Sequence, residues 1–254
     1  MAWFDFLNPV FNPLLQLGPF WALFILSLII SAVITLVYKL LTDQKRMKEL
    51  KDEQKELQTK MKSLKDNPQE MIKVQKDAMK KNFEYMKSSF KPTLVTMIPI
   101  IIIFGWMTAH LSYEPIYPGE TYSITAGFEK GTIGNVTLIP DNTTQLLSPS
   151  NQEINTEVNW KLKSSNEGIH ILDVKLNNQS FSKKVLITKN LTSYEDPITL
   201  IQHSEIKQIK VNYIKLKPLG PTFNLFGWYP GWLAIYIVLS LVFSIGLRKA
   251  LKIY

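Results

Sequence analysis

Residues 19–41 read PFWALFILSLIISAVITLVYKLL, with no charge before Lys39. At about 1.5 Å per residue, a helix of this length crosses the roughly 30 Å hydrocarbon core of a bilayer. Residues 93–111 and 228–247 form two more apolar runs of similar length. Three spans make the chain an integral membrane protein, and what separates them decides its topology. Residues 42–91 carry 14 Lys/Arg against 9 Asp/Glu, whereas residues 111–230 carry 11 of each.

Basic residues near span ends stay cytoplasmic. Lys39, Lys45, Arg46 and Lys48 follow the first run, Lys81, Lys87 and Lys91 precede the second, and Arg248, Lys249 and Lys252 follow the third. All three groups predict an N-terminus outside, residues 42–92 in the cytoplasm, residues 112–227 outside and a cytoplasmic tail at 248–254. Basic charge that flanks spans and alternates with Glu and Asp does not point to nucleic acid.

Residues 1–18 have one charge, Asp5, and lack the basic n-region and small-residue cleavage site of a signal peptide. Trp3, Phe4, Phe6, Leu7, Phe11 and Leu14, broken by Pro9 and Pro13, predict a short amphipathic segment on the outer interface. The chain has no cysteine, which excludes a disulfide framework and thiolate chemistry. His110, His170 and His203 are too scattered to suggest a metal cluster, so no cofactor is expected.

In residues 42–92, Met47, Leu50, Leu57, Met61 and Leu64 fall on heptad core positions, with Gln54 also on the stripe. Asp66, Asn67 and Pro68 break the pattern, and Asn67 with Glu70 forms a capping-box-like start. Ile72, Gln75, Met79, Phe83, Met86 and Phe90 then resume helical spacing. The pattern predicts an antiparallel coiled-coil hairpin with these residues in its seam. Met47, Met61, Met71, Met79 and Met86 either fill that seam or offer a pliable surface to apolar segments of other chains.

In the first span Ser27, Ser31 and Thr35 recur every fourth residue, followed by Tyr38 and Lys39. In the third, Tyr236, Ser240, Ser244 and Arg248 do the same, and the second adds Thr96, with Pro99 expected to kink it. Hydroxyl stripes of this kind either pack helices closely or line a partly polar groove open to the bilayer.

Residues 113–217 change to short alternating runs. Residues 121–126, 136–139, 158–162, 170–176, 181–188 and 206–213 are expected strands, with Asn177 and Asn178 as a hairpin turn. These predict an antiparallel β-sandwich, immunoglobulin-like in type, packed around Trp160. Sequons at Asn135, Asn142, Asn178 and Asn190 all lie in this segment. No catalytic constellation stands out, and the chain is not read as an enzyme.

The predicted class is an integral membrane protein: a three-helix transmembrane core, a cytoplasmic antiparallel coiled-coil hairpin and an inserted extracellular antiparallel β-sandwich domain. This order of parts, over residues 19–111 and 228–254, resembles the core of the YidC/Oxa superfamily, in particular the archaeal YidC-like integral membrane proteins. Those are relatives of the insertase subunit of the ER membrane complex. The resemblance implies insertion of transmembrane segments without ATP, through a polar groove in an archaeal plasma membrane. Its implied partners are the lipid bilayer and nascent hydrophobic segments, and a ribosome or partner subunit stays open. Two departures stand out. The external domain is larger than the family core requires, and the groove cation falls to Lys39 or Arg248 instead of an arginine within the first span. The competing expectation is a membrane-anchored surface protein whose β domain binds an external partner.

Overall fold

The computed structural model describes residues 6–64 and 67–253. Trp3, Phe4 and Asp66, which entered the readings above, lie outside the described residues. Among the described residues the chain forms five helices and nine strands. Three of the helices are long and apolar enough to cross a membrane, which makes this a multi-pass membrane protein. Two compact units result, one from the segments up to Trp21 and Gly105–Trp232, the other from Ala22–Phe104 and the segment from Leu233 on.

The first unit opens with α1 (Asn8–Leu15), which buries Phe11 and Leu15. Its β domain contains β1 (Thr121–Phe128), β2 (Asn135–Ile139), β3 (Thr144–Leu146), β4 (Asn151–Glu153), β5 (Glu157–Ser164), β6 (Gly168–Leu176), β7 (Gln179–Ile187), β8 (Ile198–Leu200) and β9 (Ile206–Val211). These pair antiparallel in two sheets, ordered β3-β5-β1-β9-β8 and β4-β2-β6-β7. All six expected strands are present, and Asn177, at φ 54°, turns β6 into β7. β5 shows why the sequence forms a half-buried strand. Val158, Trp160, Leu162 and Ser164 point inward while Glu157, Asn159 and Lys161 point out. Trp160 is fully buried in one cluster with Ile124, Leu138, Leu172 and Val185, and its indole donates to the Ser150 carbonyl at 3.0 Å. Each such side chain contributes roughly 1.5–3 kcal/mol by leaving water.

Lys183 and His170 are among the polar side chains buried in this unit. Lys183 points inward from the edge strand β7, and its ammonium donates to the Asp196 carbonyl at 2.5 Å and to Thr199 Oγ1 at 2.9 Å. Desolvation lowers its pKa, and an inward lysine on an edge strand discourages further pairing there. His170 donates from Nε2 to the Asn166 carbonyl, and its Nδ1 lies 3.0 Å from Asp141 Oδ2.

The second unit holds most of α2 (Pro19–Leu41), all of α3 (Gln44–Ser63), α4 (Pro68–Leu111) as far as Phe104, and α5 (Trp232–Ala250) from Leu233. The first span has the expected bounds. The expected second span is the end of a 44-residue helix with Pro92 and Pro99 inside it. The third span starts later than expected, at Trp232 instead of residue 228, and runs to Ala250. Before it, Leu225 and Trp228 exchange backbone hydrogen bonds around a Phe226-Gly227 turn with φ of 52° and 87°. Apolar composition alone hid this turn, whose second residue favours glycine.

Asp43 caps α3 by accepting from the amides of Lys45 and Arg46, and Asn67 Oδ1 accepts from the Glu70 amide at the start of α4. Arg46 lies 3.0 Å from Glu84, and Lys81 lies 2.8 Å from Glu53, which sets the two arms antiparallel. The hydrogen bond from Lys81 lowers the Glu53 carboxyl, and Glu53 in turn raises Lys81.

The buried faces of these two helices depart from the expected seam. The first arm faces inward as read, with Met47 and Leu50 buried. On the second arm the partly or fully buried residues are Met71, Val74, Ala78, Lys81, Glu84, Tyr85 and Ser89. Ile72, Gln75, Met79, Phe83, Met86 and Phe90 are exposed instead. Positions 71, 74, 78, 81 and 85 keep the 3-4 spacing of a heptad, but Met71 and Val74 are followed there by Ala78, Lys81 and Tyr85, which are small or carry polar groups. The bulkiest apolar residues lie on another face, so a reading led by hydrophobicity picked the wrong stripe.

Candidate functional site

The span stripes are placed unequally. Ser27, Ser31, Thr35 and Tyr38 are all buried on α2. The Ser31 hydroxyl lies 3.5 Å from the Ser240 carbonyl, to which it donates, and the Ser240 hydroxyl donates to the Tyr236 carbonyl. Phe104 meets the buried Tyr236 edge-on at 4.7 Å between ring centroids. Ser27, Ser31 and Thr35 are therefore interior positions of the helix packing in this structure. Ser244 is partly exposed, and it stands outside the cavities described next.

An open cleft of about 280 Å³ lies nearer the hairpin, lined by Ile34, Tyr38, Tyr85, Ser89, Pro92, Thr93, Thr96 and Arg248. Tyr38 and Ser89 share a hydrogen bond of 3.2 Å. The hydroxyls of Ser89, Thr93 and Thr96 donate back to carbonyls of their own helix, at 3.1, 2.8 and 3.0 Å. Thr93 and Thr96 keep their acceptor lone pairs, Ser89 keeps one beside the hydrogen bond it accepts from Tyr38, and Pro92 removes one backbone donor. The Arg248 guanidinium lies 4.8 Å from the Tyr38 ring centroid, a cation–π distance. Lys39 is exposed and does not line the cleft. Tyr38 also packs at the base of the hairpin against Met47 and Ile253.

Ile34 and Thr96 line a second cavity as well, of about 110 Å³, whose other walls are aliphatic: Ile30, Val33, Val37, Val95 and Ile103 among them. The paired cavities are polar toward Arg248 and apolar further along the spans. Tyr38, Thr96 and Arg248 were anticipated as groove residues. Tyr85 and Ser89 were not, because they belong to a segment read as a soluble coiled coil. Their signal was the seam spacing, which runs on unbroken through Tyr85, Ser89, Pro92 and Thr96.

The other face of α4 carries the exposed stripe. Ile72, Met79, Phe83, Met86 and Phe90 are 51–68% exposed, and Leu94, Met97 and Ile101 extend the line into the apolar part of the helix. At 100° per residue these eight fall within a narrow sector, spanning about 44 Å of helix. The five methionines of residues 42–92 thus have different settings. Met47 is fully buried, Met61 and Met71 are half-buried, and Met79 and Met86 are 66% and 60% exposed. Asn135, Asn142, Asn178 and Asn190 are all exposed on the β domain.

Residues 6–128, from α1 through β1, match the model of a family described as integral membrane protein EMC3/TMCO1-like. No curated protein and no solved structure matches the chain.

Proposed function

We propose that this protein is a non-enzymatic membrane protein insertase of the YidC/Oxa type. The observation that carries the reading is the pairing of two surfaces on α4, a long exposed apolar stripe and an amphipathic cleft with a cationic lip. The match of residues 6–128 to an EMC3/TMCO1-like family supports the same reading.

An emerging apolar segment meets Met79, Phe83 and Met86, whose side chains adapt to many shapes. The stripe leads it along α4 toward the spans. Its polar flank enters the cleft, where Tyr38, Ser89, Thr93 and Thr96 solvate groups that would each cost several kcal/mol unsatisfied in hydrocarbon. Arg248 attracts acidic residues of the translocated tail. The hairpin acts as a cytoplasmic coiled coil, and the two sheets as an extracellular sandwich. The N-terminus is then outside and the C-terminus cytoplasmic, in the plasma membrane of an archaeal cell. Nascent membrane proteins are the clients, with a ribosome or partner subunit as their source.

The test is insertion of a single-span client with a short acidic tail into liposomes holding the purified protein, without nucleotide. Protease-protected tail above the level in empty liposomes supports the reading. Equal protection in both removes it.

A further inference from the structure

A further cavity, unrelated to client transfer, lies in the first unit. It measures about 650 Å³, within the roughly 300–1,000 Å³ typical of small-molecule sites. One wall is α1 and its C-cap, where Asn8, Asn12 and Gln16 recur every fourth residue along one side; Gly18, His110 and residues 189–193 form the rest. We propose that this pocket binds the polyhydroxylated headgroup of a membrane lipid.

Its position follows from what ends there. Gly18, at φ 93°, joins α1 to α2, which starts at Pro19, and His110 lies in the last turn of α4. Two apolar helices therefore terminate at the pocket, at the level where a bilayer keeps its headgroups. Val10, on the side of α1 away from the amides, is 64% exposed, as is the flanking Phe6. The helix thus offers lipid one face and the pocket the other.

The lining selects the ligand class. Amides and the hydroxyls of Thr192 and Ser193 offer donors and acceptors together, which suits hydroxyl groups. Of the ionisable residues lining it, Lys189 already pairs with Glu167 at 2.9 Å, so a bare anion finds little unshared charge. The wall is held from behind by the buried Trp106. Its indole donates to Asn8 Oδ1 at 2.8 Å, its carbonyl takes a hydrogen bond from His110 Nδ1 at 2.9 Å, and its ring stacks on the imidazole. Such backing fixes the orientation of pocket groups before a ligand arrives.

The sequon at Asn190 also lines the pocket, so a sugar attached there would bring the same chemistry. The test therefore uses full-length protein from a host without N-glycosylation. It is placed in phosphatidylcholine nanodiscs doped with phosphatidylinositol, a digalactosyl lipid or phosphatidylserine, and bound lipid is counted by native mass spectrometry. Retention of the two polyol lipids over phosphatidylserine is expected. Losing two amides, in the Asn12→Ala/Gln16→Ala variant, should weaken it about tenfold or more. Both residues are exposed, so the packing of Phe11 and Leu15 survives, and Val10→Ala should retain lipid normally. Equal retention by the double variant, or equal binding of phosphatidylserine, overturns the proposal. So does loss of lipid from glycosylated protein that Asn190→Gln restores, because the occupant would then be the chain's own sugar.

Discussion

Replacing Met79, Phe83 and Met86 together by alanine should separate capture from folding. The three are 66%, 68% and 60% exposed, so their removal leaves no cavity. Alanine is the best helix former, and exposed substitutions of this kind usually change stability by within about 0.5 kcal/mol. The effect on a client is larger. At about 25 cal/mol per Å² of apolar surface covered, each side chain contributes roughly 1–2 kcal/mol to binding a hydrophobic segment. Association costs and the remaining Ile72 and Phe90 reduce that sum, yet half of it is still more than a tenfold loss of capture. Met47→Ala is the contrasting variant. Its side chain is fully buried beside Tyr38, and truncation should cost about 2–5 kcal/mol of stability. Insertion yield in proteoliposomes and thermal unfolding in detergent, measured on both, form the assay. A triple variant that inserts like wild type, with unchanged unfolding, refutes the stripe as the capture surface.

Ser27 Oγ is buried without a hydrogen-bond partner, so Ser27→Ala should leave stability unchanged or raise it by about 1 kcal/mol, with insertion unaffected. Reduced insertion by that variant would return the α2 stripe to a substrate-facing role. Burial works against the charged form of Asp141, but hydrogen bonds from Thr144, Thr143 and His170 outweigh it and hold the carboxyl below its usual range. Its stabilisation is present above the unfolded value near 4 and lost as pH falls through the folded one. Near-ultraviolet dichroism on acidification should show that loss in wild type and a flatter profile in Asp141→Asn, which starts less stable by about 1–3 kcal/mol. Tyr194 donates to the Thr108 carbonyl at 2.6 Å, and burial pushes its phenol up to about 12. Its contribution is complete below pH 10 and disappears as pH rises toward 12; Tyr194→Phe should cost about 1 kcal/mol and remove that alkaline step in unfolding titrations.

The parts legible in the sequence were those with strong periodicity. The uniform apolarity of Pro19–Leu41 defined a span to the residue, and six alternating runs located six strands. β3, β4 and β8 have three residues each, too few for alternation to register. The hairpin seam was misread because heptad spacing and hydrophobicity disagree on α4. The seam there is Val74, Ala78, Lys81 and Tyr85, while the larger Met79, Phe83 and Met86 face out. The fourfold hydroxyl stripe of α2 was visible, but spacing alone cannot say whether a face meets a neighbour or a cleft. Only packing separates Ser31, buried near the Ser240 carbonyl, from Thr93, which lines an open cavity. Lys183 gave no sign of burial, since its partners are the carbonyl of Asp196 and the hydroxyl of Thr199, more than ten residues away.

The most direct test is photocrosslinking during client synthesis, with a photoreactive residue at Thr93 in the cleft or at Ser27 in the buried stripe. The expected result is a client adduct from Thr93 that rises as the apolar segment emerges and vanishes once it is integrated, with none from Ser27. Adducts from Thr93 only to the protein's own helices, at every stage of synthesis, would contradict the insertase reading.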